Sequence, residues 1–93
     1  MKIVWDEPKR RANLNKHGFD FAEVAELDWH TAIVEDGRPD ADGRQRFKAI
    51  GTFRDSTVVV FAILGSEAIS IISFRAASDK ERRRLRWPPE AKP

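Results

Sequence analysis

The sequence predicts an α+β fold: two N-terminal helices packed on a four- to five-stranded, mainly antiparallel sheet, followed by a C-terminal helix. Helix signals fill residues 6–28, β-rich apolar runs follow from residue 31 to residue 75, and helix signals return from residue 78. The β-rich runs are joined by short connections, which favour antiparallel neighbours. With 93 residues, the chain is expected to form a single domain spanning residues 1–93.

The N-terminal elements are a strand, KIVW at residues 2–5, and a helix within DEPKRRANLNKHG at residues 6–18. Asp6 fits the N-cap, and Pro8 lies where the first turn of a helix tolerates proline. Gly18 supplies the left-handed residue that ends a helix, while Lys16 and His17 complement the helix dipole.

A second helix is predicted after Asp20. Asp20 as N-cap and Glu23 three residues later form a capping-box pattern, and Phe19 with Val24 forms a hydrophobic staple. This helix is expected to end near Leu27 or Asp28. Its apolar face would comprise Phe21, Val24, Ala25 and Leu27.

Four further strands are predicted, TAIVED, RFKAIGTF, TVVVFAIL and AISIISFR. TVVVFAIL is apolar at its odd and its even positions alike, which indicates a central strand covered on both faces of the sheet. Alternation along the second of these runs places Arg44, Arg46, Lys48 and Ile50 on one face and Phe47, Ala49 and Phe53 on the other. The same rule places Arg75 with Ser73, opposite Ile72 and Phe74.

The last helix is predicted within SDKERRRLRW, residues 78–87, with Ser78 as N-cap and Glu81 three residues later. Pro88 and Pro89 are expected to stop it. Residues 88–93 are expected to form a loose tail.

Composition excludes several kinds of chemistry. The absence of cysteine excludes disulfides and thiolate nucleophiles, and no Gly-rich phosphate loop or metalloprotease motif is present. We expect no metal site and no cofactor. No apolar run approaches the roughly 18 residues of a membrane span, which predicts a cytoplasmic protein without membrane contact.

Charge is unevenly distributed along the chain. Residues 1–18 hold five basic and two acidic side chains, residues 19–44 hold two basic and eight acidic, and residues 75–93 hold seven basic and three acidic. If the fold brings the two basic ends together, they form a surface suited to a polyanion. The alternative is that these charges only cover solvated helix faces.

Several residues have both a structural and a functional interpretation. His17 is either the end of a helix or an acid–base group, and Asn13, one turn earlier, either orients it or caps a carbonyl. Arg75 is either a phosphate ligand or the ion-pair partner of Glu81. Trp87 either stacks on a nucleobase or packs against the protein.

These segments resemble the BrnT toxins of bacterial type II toxin–antitoxin systems, small ribonucleases with a RelE-like fold. The resemblance is carried by VWDEPKRRANLNKHGFDFAEV, RFKAIG and IISFRAASDKERRRL, which occur in the family's order and spacing. It departs from the family in two places, because the hairpin ILGSEAIS lacks a basic residue and the chain has no tyrosine.

The resemblance implies messenger RNA cleavage, free or on the ribosome, by a metal-independent endoribonuclease that inhibits translation. It also implies neutralisation by a BrnA-type antitoxin, through which alone operator DNA would be bound. The implied catalytic residues are His17, Arg46, Arg75 and Glu81, and the expected RNA-binding residues are Lys16, Lys48, Arg82, Arg83 and Trp87. The alternative is a catalytically weakened homologue that acts as a basic nucleic-acid- or antitoxin-binding module.

Overall fold

The computed structural model describes residues 2–85. Trp87, the two prolines of the predicted helix stop and the predicted tail lie outside this range. The order of elements is β1 (Lys2–Val4), α1 (Glu7–His17), a 3₁₀ helix (Phe21–Glu26), β2 (Ile33–Asp36), β3 (Gln45–Phe53), β4 (Ser56–Leu64), β5 (Ala68–Ala76) and α2 (Asp79–Leu85). Within residues 2–85, no helix is long and apolar enough to cross a membrane.

The five strands form one mixed sheet in the order β1-β5-β4-β3-β2. Strands β2 to β5 are an antiparallel meander, as the short connections predicted, whereas β1 pairs with β5 in parallel. β4 is the central strand, and it buries apolar residues on both faces of the sheet. Val58, Val60 and Ala62 lie in one core cluster and Val59 lies in another. The central-strand prediction is therefore confirmed.

Helix α1 begins and ends where its local sequence indicates. The Asp6 carboxylate accepts a hydrogen bond from the Lys9 N–H at 3.2 Å. At the other end, Gly18 has φ 78° and donates its N–H to the Leu14 carbonyl at 2.8 Å. An N-cap carboxylate and a left-handed glycine satisfy backbone groups that a helix leaves unpaired at its ends.

The second predicted helix is a six-residue 3₁₀ helix instead of an α-helix. Asp20 caps it as predicted, by accepting a hydrogen bond from the Ala22 N–H at 2.9 Å. Phe21, Val24 and Leu27 are buried while Ala25 is exposed. A spacing of three residues matches the three residues per turn of a 3₁₀ helix, so all three side chains reach the core together.

The larger core lies between this 3₁₀ helix and one face of the sheet. Phe74 is fully buried, with ring centroids 5.0 Å from Phe19 and 5.1 Å from Phe53. Phe47 and Ala49 of β3 join the same core, whereas Ile50 lies in the smaller cluster on the other face. The alternation predicted for β3 is thus correct.

A β-bulge changes the predicted alternation in β5. Phe61 pairs with Ser73 and Ala62 with Ile71, so Ile72 is an extra residue without a partner in β4. Ile72 and Ser73 line the same groove. Strict alternation therefore breaks between Ile71, which is buried in the larger core, and Ser73, which pairs with Phe61 of the other face, because the strand carries an additional residue between them.

Candidate functional site

The candidate site lies on the face of the sheet that α2 covers. The strand register places Lys48 of β3 beside Phe61 of β4, and Phe61 beside Ser73 of β5. Arg75 follows two residues after Ser73 and pairs with Val59. Three adjacent strands therefore bring two cations and an aromatic ring together.

A capping box at the start of α2 directs Glu81 toward these strands. The Glu81 N–H donates to Ser78 Oγ at 3.2 Å, and the Ser78 N–H donates to Glu81 Oε1 at 2.8 Å. This is the reciprocal arrangement predicted from the sequence. In this arrangement, Glu81 lies against the sheet and is only 8% exposed.

The Glu81 carboxylate binds both cations. Arg75 donates to it from Nη1 at 2.9 Å and from Nη2 at 3.1 Å, and Lys48 Nζ lies 2.9 Å from Oε2. The hydrogen bonds from Arg75 hold the pKa of the Glu81 carboxyl far below its ordinary value near 4.5; burial opposes this effect, while the Ser78 N–H and Lys48 add to it. The lowered pKa favours the charged carboxylate, which holds the two cations beside each other.

Arg75 and Lys48 are held in place but stay accessible. Arg75 also donates to the Ala76 carbonyl at 3.0 Å, and its guanidinium carbon lies 5.3 Å from the centroid of the Phe61 ring. Lys48 Nζ lies 5.9 Å from the same centroid. About a quarter of each side chain remains exposed, 29% for Arg75 and 25% for Lys48. Both charges can therefore meet an anion from solvent.

Arg46 extends this cationic surface along β3. It lies two residues before Lys48 and is exposed, with no ion pair to any residue that the structure describes. It lines a groove together with Phe61, Ile72 and Ser73. The structure thus brings Arg46, Lys48, Arg75 and Glu81 together on one side of the sheet, and alternation along β3 predicted this only for Arg46 and Lys48.

Lys16 and His17 lie elsewhere, at the C-terminal end of α1. Helix α1 is fastened to β5 by Asn13, whose Nδ2 donates to the carbonyls of Phe74 at 2.8 Å and Phe19 at 3.0 Å. The Phe74 N–H donates back to Asn13 Oδ1 at 3.2 Å. Asn13 therefore caps main-chain groups, the second of its two interpretations, and does not orient His17. None of the bonds around Glu81 involves His17.

The basic run of α2 is partly paired. Arg84 forms an ion pair with Glu35 of β2, and Arg82 binds Asp79 at 2.6 Å. Arg83 is exposed. Four cations around the site (Arg46, Lys48, Arg75 and Arg84) exceed the two carboxylates, Glu35 and Glu81. The site therefore retains an excess positive charge, which favours a polyanion.

Two features of the site were missed in the sequence. The Arg84–Glu35 pair joins residues 49 positions apart, and no local pattern indicates it. Phe61 could have been found, because alternation from Val59 places it on the same face as Lys48. Within residues 2–85, no group of three or more His, Cys, Asp or Glu side chains is arranged to hold a metal ion.

Fold and site together define a small α+β protein with a cationic face. The family model described as "Ribonuclease toxin, BrnT, of type II toxin-antitoxin system" matches residues 5–81. The crystal structure of the Brucella abortus ribonuclease toxin BrnT is similar, at 42% sequence identity and a TM-score of 0.65, over 85% of this chain and 99% of that chain. A search of curated proteins found no match.

The chain belongs to the BrnT family of ribonuclease toxins of type II toxin–antitoxin systems. The resemblance inferred from the sequence is confirmed. Membership implies an antitoxin as partner and RNA as substrate.

Proposed function

We propose that this chain is a metal-independent endoribonuclease that cleaves messenger RNA through attack by the 2′-hydroxyl and so inhibits translation. The observation that carries the proposal is the Glu81 carboxylate, which holds Arg75 and Lys48 side by side over Phe61. Cations fixed before the substrate arrives stabilise charge that develops in a transition state without reorganisation.

RNA supplies its own nucleophile, so the protein has four tasks. It must align the 2′-hydroxyl with the scissile phosphate, remove a proton, stabilise the phosphorane and protonate the 5′-oxygen that leaves. The products are a 2′,3′-cyclic phosphate and a 5′-hydroxyl. None of these tasks requires a metal ion when cationic side chains stand at the phosphate.

Arg75 and Arg46 are proposed to stabilise the phosphorane, since a guanidinium offers a planar set of donors to phosphate oxygens. Lys48 binds the same strand of RNA. Glu81 acts as a positioning residue for the cations, because its carboxylate already accepts hydrogen bonds from Arg75, Lys48 and the Ser78 N–H.

Proton transfer is assigned to His17, because an imidazole can act as acid or base near neutral pH. This requires the scissile phosphate to lie at the end of β5, within reach of both the Arg75 guanidinium and the imidazole at the end of α1. Lys16 would hold the adjacent phosphate there. Arg82 and Arg83 of α2, both exposed, would contact the backbone on the other side of the site.

The partner is proposed to be a BrnA-type antitoxin, and the fold to be RelE-like. An antitoxin that covers Arg46 and Arg75 would block access and neutralise charge at once. Operator DNA would then be bound only through the antitoxin. Because messenger RNA is the proposed substrate, the proposed place of action is the cytoplasm.

A second candidate is a weakened homologue that binds RNA or the antitoxin without cleaving. The observation in its favour is that the chain has no tyrosine and that Glu81, the other candidate base, is held as an ion-paired carboxylate. The two candidates differ in one product, since only the first creates cyclic-phosphate ends on single-stranded RNA.

The test is induced expression in a bacterial host, with growth followed and RNA ends mapped. Wild type is compared with an Arg46→Ala, Arg75→Ala double variant and with an Arg11→Ala, Arg38→Ala control that removes the same charge at exposed positions. We expect growth arrest and RNA with cyclic-phosphate ends for wild type and for the control, and neither for the Arg46→Ala, Arg75→Ala variant. Abundant soluble wild type without new ends would favour the weakened homologue.

A further inference from the structure

A groove of about 230 Å³ adjoins the cationic site and shares Phe61 with it. Phe61 is half-buried and contributes an aromatic wall, while Ile72 contributes an aliphatic one. Ser73 adds a hydroxyl and Arg46 a guanidinium. The groove thus combines a stacking surface, one neutral hydrogen-bonding group and one cation.

A β-bulge in β5 lies along this groove. In a regular strand, Ile72 and Ser73 would point to opposite faces of the sheet. Here Ile72 has no partner in β4, and both residues line the groove beside Phe61. Bulges redirect side chains in this way and are frequent next to active sites.

We infer that the groove binds one nucleobase of the RNA, next to the phosphate that Arg46 and Arg75 hold; the inference rests on the proposed ribonuclease function. The base would stack on Phe61, and Ser73 would hydrogen-bond to its edge. A hydroxyl both donates and accepts, so Ser73 alone selects weakly, and the shape of the slot between Phe61 and Ile72 sets the preference. Sequence preference at the cut site is therefore a property of the bulge.

The first test maps cleavage sites in one defined RNA for wild type, Phe61→Leu, Phe61→Trp and Ser73→Ala. Ser70→Ala, on the same strand but outside this groove, is the matched control. We expect Phe61→Leu to cut about tenfold more slowly at preferred sites and to lose the preference between sites, because stacking on an aromatic ring is lost. Phe61→Trp should retain the preference, and Ser70→Ala should match wild type. Unchanged site distributions in both Phe61→Leu and Ser73→Ala would overturn the inference.

A second measurement keeps the two proposals separable. Amide chemical shifts are recorded while nucleoside 3′-monophosphates or ribose 5-phosphate are added to wild-type protein. We expect shifts at Phe61, Ile72 and Ser73 with the nucleotides and only at the cationic residues with ribose phosphate. Equal shifts with both ligands would overturn the base groove, even if RNA is cleaved. Nucleotide-specific shifts without RNA cleavage would support the groove and refute the ribonuclease.

Discussion

Arg75 and Glu81 are joined by two hydrogen bonds, of 2.9 and 3.1 Å, that connect the end of β5 to the first turn of α2. Arg75 and Glu81 are only six positions apart in sequence. The second cation that the Glu81 carboxylate binds, Lys48, comes from β3. The same carboxylate therefore fixes the helix to the sheet and sets the spacing of the cations. Stability and activity should depend on it together.

Replacement of Glu81 by glutamine should destabilise the protein by about 1–3 kcal/mol, because two cations lose their shared carboxylate while keeping partial contact with water. Glutamine preserves the capping pattern, so the loss reports on the charge. Urea unfolding measures it, with Glu67→Gln, at an exposed carboxylate, as control. Equal stability of Glu81→Gln and wild type would show that the ion pairs contribute nothing to folding.

The contribution of Glu81 to stability should decrease in acid. Its pKa is far lower in the folded protein than the ordinary value near 4.5. A carboxyl with a lowered folded pKa stabilises fully above the unfolded value, and this stabilisation is lost as pH falls toward the folded one. The difference in unfolding free energy between wild type and Glu81→Gln should therefore be largest near pH 7 and shrink steadily below about pH 5. A difference that is constant down to pH 3 would contradict this.

Asn13→Ala should cost about 1–3 kcal/mol, because the buried N–H and carbonyl of Phe74 lose their partner. Strand β1 pairs with β5 only as far as Ser70, so Asn13 replaces a neighbouring strand at this point of the edge. The matched control is Asn15→Ala, at an exposed position of the same helix. If thermal unfolding gives the same midpoint for both variants, the hydrogen bonds of Asn13 to Phe74 do not stabilise the edge of β5.

His17→Ala should reduce RNA cleavage by about 10²–10⁴-fold, the usual contribution of one acid–base residue. His30→Ala, which changes the other histidine, should leave the rate unchanged. The measurement is the initial rate on a labelled single-stranded RNA with both proteins shown to be folded. A His17→Ala rate within about threefold of wild type would remove His17 from the mechanism and leave it as the last residue of α1.

Local sequence determined the elements whose signals act over a few residues. The caps at Asp6 and Gly18, the box between Ser78 and Glu81, and the alternation along β3 each depend on backbone groups within one turn or one pleat. These interactions form wherever the chain adopts the element. For that reason, the cationic strip of β3 and the place of Glu81 in a capping box could be argued before the fold was known.

Tertiary structure decided the rest. The second helix became a 3₁₀ helix because Phe21, Val24 and Leu27 all had to reach one core. The bulge at Ile72, the Asn13 bonds to Phe74 and the Lys48–Glu81 pair depend on which strand lies beside which. A sequence fixes which side chains can pair locally, but the pairing of groups far apart in the chain is set by the free energy of the whole packed fold.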